Sequence, residues 1–346
     1  MYSAFSIFEA WLRVWAGSQG TCRSEIATAL QLKEGEQEVR AKLATLTARI
    51  TTAGEDCTVA TANAIWVRPG LRIARAFETE WGTTRELEFA DTAQAAKTIN
   101  DWIAERTNNM IRDVVEARTI PPLTSIILAN AIYLKAKWGT PFDESDTDDE
   151  TFRLLNHEDV QVPTMWDRGR YACVATDDIE VLRKPYSGGA FELVVVLPRA
   201  GRFEEVRGTL TFQSVCDALA ATQPIDTILK LPKFSIESTP EIDPFLQSRG
   251  AEAIYDPSRA DLSALSPDAL ISGQELFVGQ TLHKARIEVD EGGTEAAAVT
   301  VLETFGCAPT KTPPPYAFTV DRPFLYFVLE TASNLPLFAG QVVDPR

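Results

Sequence analysis

Apolar and polar positions recur with a helical period over much of the first hundred residues. Three such stretches predict helices near the N-terminus: residues 5–16, 23–32 and 34–50. In a fourth stretch, 95–103, apolar side chains three and four residues apart share one helical face: Ala96, Ile99, Trp102 and Ile103. A strand pattern over 58–67 is followed by the turn signal Pro69-Gly70. The first part of the chain is therefore predicted to be mainly helical.

The pattern changes beyond residue 125. Residues 126–134 are apolar nearly throughout, with Asn130 the clear exception, which predicts a central strand buried on both faces. Shorter strand-like runs follow between Pro, Gly and acidic turns: 160–162, 180–183, 191–197, 227–230 and 282–289. Because no internal repeat and no change of composition marks a boundary, we predict a single α+β domain over residues 1–346.

Acidic residues outnumber basic ones, with 49 Asp and Glu against 33 Lys and Arg and a formal net charge of -16. A surface of this charge repels polyanions, so nucleic acid is not expected as a partner. No stretch approaches the ~18 uninterrupted apolar residues of a membrane helix, and no signal peptide is visible. No membrane partner is therefore expected, while the compartment, extracellular or cytoplasmic, stays open.

The cysteines and histidines give no sign of a catalytic or metal centre. The five cysteines are widely separated and include no C-x-x-C pair of the kind that zinc and dithiol redox sites use: Cys22, Cys57, Cys173, Cys216 and Cys307. A serine-hydrolase triad is disfavoured, because His157 and His283 are the only histidines and no G-x-S-x-G motif accompanies them. We predict no metal, no cofactor and no enzymatic activity.

Two separated motifs occur in order near the C-terminus. The first is Glu291-Gly292-Gly293-Thr294-Glu295-Ala296-Ala297-Ala298, and the second is Arg322-Pro323-Phe324-Leu325-Tyr326-Phe327. They resemble the hinge of the reactive-centre loop and the strand that follows it in inhibitory members of the serpin family. Further matches extend the resemblance from Ser3 to the end of the chain: Asn63-Ala64-Ile65-Trp66-Val67, Thr98-Ile99-Asn100-Asp101-Trp102, Leu128-Ala129-Asn130-Ala131-Ile132-Tyr133, Lys137-Trp138 with Pro141-Phe142, Leu231-Pro232-Lys233-Phe234, His283-Lys284-Ala285 and Pro336-Leu337-Phe338-Ala339-Gly340.

The resemblance implies an α+β serpin fold with several sheets, a large central sheet that is mainly antiparallel, and about eight helices. It also implies an exposed reactive-centre loop at about 291–317. The Pro/Thr-rich segment 308–315 agrees with an exposed loop, because proline cannot join the interior of a sheet. The family usually has a long helix before the segment that here is Ser3-Ala4-Phe5-Ser6-Ile7, so the first helix is expected to be missing.

The resemblance further implies that a target protease forms a covalent acyl-enzyme with the loop, which then enters the central sheet as a new strand. An inserted strand needs one alternating set of side chains that fits a packed core. From the hinge onward this inward set would be small or apolar: Thr294, Ala296, Ala298, Thr300 and Leu302. Glu295 and Glu303 would face outward. An Ala-rich run alone favours a helix, but the two glycines and Thr294 before it favour insertion.

The bond that the protease would cut follows from the common length of inhibitory loops. Sixteen residues on from Glu291 the count reaches Cys307, with Ala308 after the cut. A small, moderately apolar Cys307 suits elastase-like or chymotrypsin-like pockets, although it is also open to the interpretation of an incidental exposed thiol. The fallback cut sites are Phe305, for chymotrypsin-like targets, and Lys311, for trypsin-like targets. Counting back from the second motif lands near Thr312 instead.

Two further site predictions come from the resemblance. Ser3, Ser6, Asn130 and His283 match the family's shutter, a buried polar cluster beneath the point where the sheet parts. Trp138 matches the breach, where the loop first enters. Buried polar groups need one another as partners, so such a cluster could hold the sheet closed and exchange bonds on opening. The alternatives are an ordinary core histidine and an ordinary core tryptophan.

Four function classes are compatible with these patterns to different degrees. The leading hypothesis is a monomeric suicide inhibitor of a serine protease. The others are a cross-class inhibitor of papain-like cysteine proteases, a non-inhibitory carrier or chaperone of the same family, and an enzyme. Small hinge residues disfavour the carrier, whose relatives tend to have bulky, charged or proline-rich hinges. Heparin activation is not expected, because acidic residues interrupt the basic ones in and just before the helix at 34–50: Glu34, Glu36 and Glu38 against Lys33, Arg40 and Lys42.

Overall fold

The computed structural model describes residues 1–52, 54, 56–82, 84–121, 124–271, 275–294 and 313–346. Within these ranges the helices are α1 (Ala4–Gly17), α2 (Gly20–Ala29), α3 (Glu36–Thr51), α4 (Arg75–Trp81), α5 (Thr92–Arg106), α6 (Phe203–Thr209), α7 (Phe212–Ala221) and α8 (Asp243–Ser248). Eight helices together with two mixed sheets agree with the α+β architecture expected from the sequence.

Four of the helices correspond to the predicted helical stretches. The first begins where Ser3 caps it, because the Ser3 side chain accepts a hydrogen bond from the Ser6 N–H. The second lies three residues earlier than predicted: α2 starts at Gly20 and ends at Ala29, and the chain then turns at Gln31, whose φ is 56°. Gly17 is thus the last residue of α1 and Gly20 the first residue of α2.

Over the described residues the chain forms two sheets, of six and eight strands. The first has the order β2-β1-β3-β11-β10-β9. Their bounds are β1 (Cys57–Val67), β2 (Arg85–Glu86), β3 (Ile126–Lys137), β9 (Phe234–Ser238), β10 (Val278–Val289) and β11 (Gly293–Thr294). Most of its pairings are antiparallel, but β3 and β10 are parallel neighbours. The short strand β11 pairs with both of them, beyond their last shared residue pair.

The second sheet has eight strands, seven of them in the order β12-β8-β5-β6-β7-β13-β14, with β4 paired to β5. Their bounds are β4 (Asp148–Arg153), β5 (Asp159–Ala175), β6 (Ile179–Pro185), β7 (Phe191–Pro198), β8 (Gln223–Pro232), β12 (Tyr316–Thr319), β13 (Phe324–Glu330) and β14 (Leu335–Val342). Strand β13, the last but one along the described chain, lies between β7 and β14 in the interior of the sheet.

The central strand β3 is covered on both faces. On one face Ile126 and Leu128 pack in a cluster with side chains of α1, α2 and α4. On the other face Ile127 and Ala129 pack in a cluster with side chains of α5. Two-sided burial explains why its sequence is apolar without alternation, as predicted.

Strands lie at both ends of the predicted reactive-centre loop. The loop is predicted over about 291–317; within that range, Tyr316 and Ala317 belong to β12, where they pair with Thr227 and Ile228 of β8. At the other end, Gly293 and Thr294 form β11. Both ends of the predicted loop are thus held by strand pairing. Within the described ranges, no helix combines the length and the apolar character needed to cross a bilayer.

Candidate functional site

The parallel neighbours β3 and β10 define the place where a new strand could enter the first sheet. They are paired from Val278 opposite Ile126 up to Arg286 opposite Tyr133. Beyond that point they diverge, and β11 lies between them, with Thr294 opposite both Ala136 of β3 and Val289 of β10. The first two residues of a third strand therefore already occupy the gap.

Thr294 is fully enclosed in this gap. Its exposed fraction is 0%, and its hydroxyl lies 2.8 Å from the hydroxyl of Tyr186. The residue before it must be glycine, because a Cβ on Gly293 would lie 2.1 Å from the carbonyl oxygen of Ala136. A small side chain at Thr294 and none at Gly293 are thus requirements of the packing at this point.

The chain that leads to β11 is held by backbone hydrogen bonds from one short segment. The Trp138 N–H donates to the Gly292 carbonyl and the Phe142 N–H donates to the Glu291 carbonyl, both at 2.9 Å. The indole Nε1–H of Trp138 donates to the Asp290 carbonyl, also at 2.9 Å. Trp138, predicted from the resemblance, therefore contacts the hinge directly through main chain and side chain.

Glu291 is anchored by its side chain. Its Oε2 lies 2.8 Å from Lys233 Nζ, and its Oε1 accepts from the Thr147 hydroxyl at 2.8 Å. Burial alone would raise the pKa of Glu291, but the hydrogen bonds from Lys233 and Thr147 outweigh it and lower this pKa below its ordinary value. The carboxylate is thus ionised and fixed at the base of the hinge.

Lys184 was missed by the sequence analysis. Trp138 stacks on Tyr186 with ring centroids 4.5 Å apart, and Lys184 Nζ lies 4.0 Å from the ring centroid of the adjacent Phe142. Nζ donates to the Thr140 carbonyl at 3.0 Å, and the residue is 1% exposed. Burial lowers the pKa of Lys184 to about 8. Nothing in the local pattern marks it, because it follows Arg183 in an ordinary strand.

The predicted shutter residues are brought together beneath the gap. His283 Nε2 accepts from the Ser3 N–H at 3.1 Å, so its Nδ1 carries the proton and donates to Asn130 Oδ1. Asn130 Nδ2 donates to the carbonyl and the hydroxyl of Ser6. Burial lowers the pKa of His283 to about 3, which keeps the ring neutral. Since Asn130 and His283 are direct register partners, they bond across the boundary between β3 and β10.

Three more residues extend this polar cluster, and the sequence analysis did not identify them. Asn63 of β1 accepts from Asn130 Nδ2 and donates to Glu9 Oε2 at 2.6 Å. Arg13 donates to Glu9 Oε1 at 3.1 Å. A signal was available in hindsight: Ser3, Ser6, Glu9 and Arg13 are three or four residues apart and share one face of α1.

The remaining predicted site residues lie outside the described residues. They are the distal hinge residues Glu295, Ala296, Ala297 and Ala298, the predicted cut at Cys307 and Ala308, and the fallback sites Phe305 and Lys311. Four cysteines lie within the described ranges and form no disulfide there: Cys22, Cys57, Cys173 and Cys216. Within the same ranges, no group of three or more His, Cys, Asp or Glu side chains is arranged to hold a metal ion.

Comparisons with known proteins match nearly the whole chain. Residues 1–345 match the family model described as Serpin (serine protease inhibitor). The chain is 30% identical to an uncharacterised serpin-like protein of Thermococcus kodakarensis, covering 100% of this chain and 80% of that protein. It is 28% identical to leukocyte elastase inhibitor A of Rattus norvegicus, covering 99% and 92%. The solved structure of human thyroxine-binding globulin matches with a TM-score of 0.88 and 26% identity, covering 99% and 91%.

Proposed function

Because this chain belongs to the serpin family, we propose that it inhibits a serine-type endopeptidase as a suicide substrate. The observation that carries the proposal is the position of Thr294, which lies fully buried between β3 and β10 as the start of an additional strand. A chain that already begins to enter the gap can continue into it once the loop is cut. The residues that follow it in the sequence are small or apolar at every second position.

The proposed reaction is the first half of proteolysis. The hydroxyl oxygen of the protease serine attacks the carbonyl carbon of the scissile bond, and its proton passes to the leaving amine as the amide bond breaks. An ester then joins the protease to the new C-terminus of the loop. Insertion of the loop as a strand moves the tethered protease away and distorts its oxyanion hole before water can hydrolyse the ester.

The scissile bond is proposed to join Cys307 and Ala308, with Phe305 and Lys311 as the fallback positions. A small residue before the cut suits an elastase-like pocket. The similarity to leukocyte elastase inhibitor A supports the same class of target. We therefore place elastase-like and chymotrypsin-like proteases first among the targets, and trypsin-like proteases after them.

The buried residues have proposed roles in controlling insertion. Trp138 and Glu291 hold the hinge at the top of the gap through the contacts described above. Asn130 and His283 join β3 to β10 lower down, and they must separate for a full strand to pass. The hinge contacts and the bond between Asn130 and His283, here called the latch, thus act at two positions along the boundary between β3 and β10.

A carrier function is the second candidate, favoured by one observation. The fold is similar to that of thyroxine-binding globulin, a protein named for binding a small ligand. A carrier would form no covalent complex with a protease. Cross-class inhibition of a papain-like cysteine protease would form a complex with a cathepsin rather than with a serine protease.

The deciding experiment incubates the protein with elastase, chymotrypsin, trypsin and a cathepsin, followed by denaturing electrophoresis. We expect a complex that survives denaturation, and the mass of the released C-terminal peptide locates the cut. In the Thr294→Arg variant a bulky charge cannot occupy the buried position, so the protease should cleave the loop and go free. The matched control is Glu295→Arg at a predicted outward position, which should still form the complex. If no enzyme is trapped by the wild-type protein, the inhibitor function is wrong.

A further inference from the structure

Glu9 is a buried carboxylate beside the polar cluster, and it lies on α1 rather than on any strand that must separate. The residue is 9% exposed. Its Oε2 accepts from Asn63 Nδ2 at 2.6 Å and its Oε1 accepts from Arg13 at 3.1 Å. A carboxylate that is shielded from water depends on such partners, and a hydrogen bond to a charged group is stronger than one between neutral groups. We therefore expect the hydrogen bond between Glu9 and Asn63 to be strong.

The N-terminal end of α1 is fixed to two strands, β14 of the second sheet and β10 of the first. Tyr2 and Ala339 of β14 exchange two backbone hydrogen bonds, at 2.9 and 3.0 Å. The Ser3 N–H donates to His283 of β10. α1 is thus held by the second sheet and by the far side of the gap.

On the near side of the gap, β1 and β3 form one antiparallel unit from Cys57 opposite Ala136 to Val67 opposite Ile126. Three polar contacts join this unit to α1: Asn130 with Ser6, Asn63 with Glu9, and Arg13 with the Asn63 carbonyl at 3.5 Å. Because α1 is fixed to β10 and β14, separation of β3 from β10 moves the unit relative to α1. These contacts must then break together with the bond between Asn130 and His283.

We propose that Glu9 is a second latch, a positioning residue that acts through Asn63 to hold β1 and β3 against α1 until the loop inserts. The inference rests on the proposed function, because it concerns the opening of the sheet for a new strand. The contact is present before insertion and lost after it. Its removal should let the loop insert about tenfold faster after cleavage, the order of effect expected for one hydrogen bond to a charged group.

The test is a double-mutant cycle with Glu9→Ala, Asn63→Ala and the double variant. Thermal unfolding is measured for the intact protein and for protein nicked between residues 295 and 312, with the nick verified by mass spectrometry. We expect coupling between the two positions in the intact form and none in the nicked form. Insertion after nicking, followed by tryptophan fluorescence, should be about tenfold faster in Glu9→Ala. Glu9→Gln keeps an acceptor oxygen for Asn63 and should restore part of the slow rate.

The matched control is Arg183 with Glu192, a pair 2.7 Å apart on β6 and β7 of the second sheet, which likewise joins a buried carboxylate to a partly buried partner. The coupling energy between Arg183 and Glu192 should be the same in the intact and in the nicked protein. Equal coupling of Glu9 and Asn63 in both forms would mean a merely structural contact and would overturn the latch while leaving the inhibitor function intact. If nicking fails to raise the unfolding temperature of the wild type, the proposed function falls and the latch falls with it. Should Glu9→Ala not fold, an insertion rate in Glu9→Gln equal to that of the wild type also overturns it.

Discussion

Lys184 is buried among aromatic rings, and His283 is buried among neutral hydrogen-bond partners. Lys184 donates to the carbonyl of Thr140, and His283 bonds to Asn130 and to the Ser3 N–H. Loss of hydration disfavours the charged form of each, which lowers the pKa of Lys184 to about 8 and that of His283 to about 3. Each group therefore makes the stability of the uncleaved molecule depend on pH.

Lys184→Met should stabilise the uncleaved protein at pH 7 by roughly 2 kcal/mol, because it removes a buried charge and keeps the side-chain volume. The pKa of Lys184 is below its ordinary value of 10.5, so the unfolded state binds more protons between about pH 8 and 10.5. Wild-type stability should thus gain over that interval relative to the variant. Denaturant unfolding at several pH values measures the difference.

Lys284→Met is the control for this prediction. Lys284 is also buried, but it is ion-paired with Glu237 at 2.6 Å and donates to the Arg112 carbonyl at 2.7 Å. Its removal leaves those partners without a cation, so this variant should lose stability at pH 7. If both variants lost stability equally, burial of the Lys184 charge would not be a net cost.

His283→Gln should cost about 1–3 kcal/mol at neutral pH, because a buried hydrogen-bond network loses its geometry. The pKa of His283 is depressed in the folded state, so its contribution is complete above about pH 6.5 and is lost as the pH falls toward about 3. The variant should therefore show a flatter decline over that interval in thermal unfolding. His157→Gln changes an exposed histidine and should keep the wild-type decline; the same steep decline in His283→Gln would contradict the assignment.

At the scale of the elements, the boundary between β3 and β10 is closed by strand pairing below and by β11 above. The upper closure depends on Gly293, where the chain passes against the backbone of β3. A side chain at this position would push β11 out of the gap and separate Thr294 from Tyr186. The conformation of the chain at Gly293 is thus set by a steric requirement rather than by helix or strand propensity.

Gly293→Ala should destabilise the uncleaved protein by about 1–3 kcal/mol, since the added Cβ would meet the Ala136 carbonyl oxygen at 2.1 Å. It should also shift the balance from protease trapping toward simple cleavage. Gly208→Ala is the control, because that glycine lies in α6 with nothing within 4 Å of an added Cβ. Electrophoresis of complex against cleaved product, together with thermal unfolding, measures both effects. Equal behaviour of the two variants would rule out the close approach at Gly293.

Local patterns predicted the elements better than their partners. The run at 126–134 indicated a strand buried on both faces, and β3 is one, with the polar exception Asn130 bonded inside the cluster. The sequence alone could not show that β10, far along the chain, is its parallel neighbour, because pairing depends on the packing of both faces. The resemblance named His283 and Asn130, whereas Glu9 and Lys184 escaped it. Charged residues in amphipathic patterns are expected at the surface, and only tertiary packing buries them.

At the scale of the whole molecule, the proposed function requires that the uncleaved fold is not the most stable arrangement of this chain. A complete strand between β3 and β10 would add about ten ladder hydrogen bonds at roughly 0.5–1.5 kcal/mol each, besides buried side-chain area. The gap is already widened at its upper end by β11. In the proposed function, the energy of insertion would do work on an attached protease.

Cleavage of the loop between residues 295 and 312 should raise the unfolding temperature by about 20 °C, because the freed segment can join the first sheet. Differential scanning calorimetry of intact and nicked protein measures the shift. Thr294→Arg provides the contrast: the same nick should leave its unfolding temperature nearly unchanged. A wild-type protein that melts at the same temperature before and after nicking would have no stored energy to release.

The position of β13 has a consequence for how the molecule is made. This strand lies between β7 and β14, and its residues Phe324, Tyr326 and Val328 belong to the main core. On the ribosome these side chains emerge more than a hundred residues after β7, so β7 keeps an uncovered edge until β13 has emerged. The segment 295–312 emerges before β13 does, and during that interval it can compete for the gap in the first sheet. If the proposed insertion occurs, the speed with which β13 docks against β7 would decide whether a newly synthesised chain adopts the uncleaved fold or the loop-inserted one.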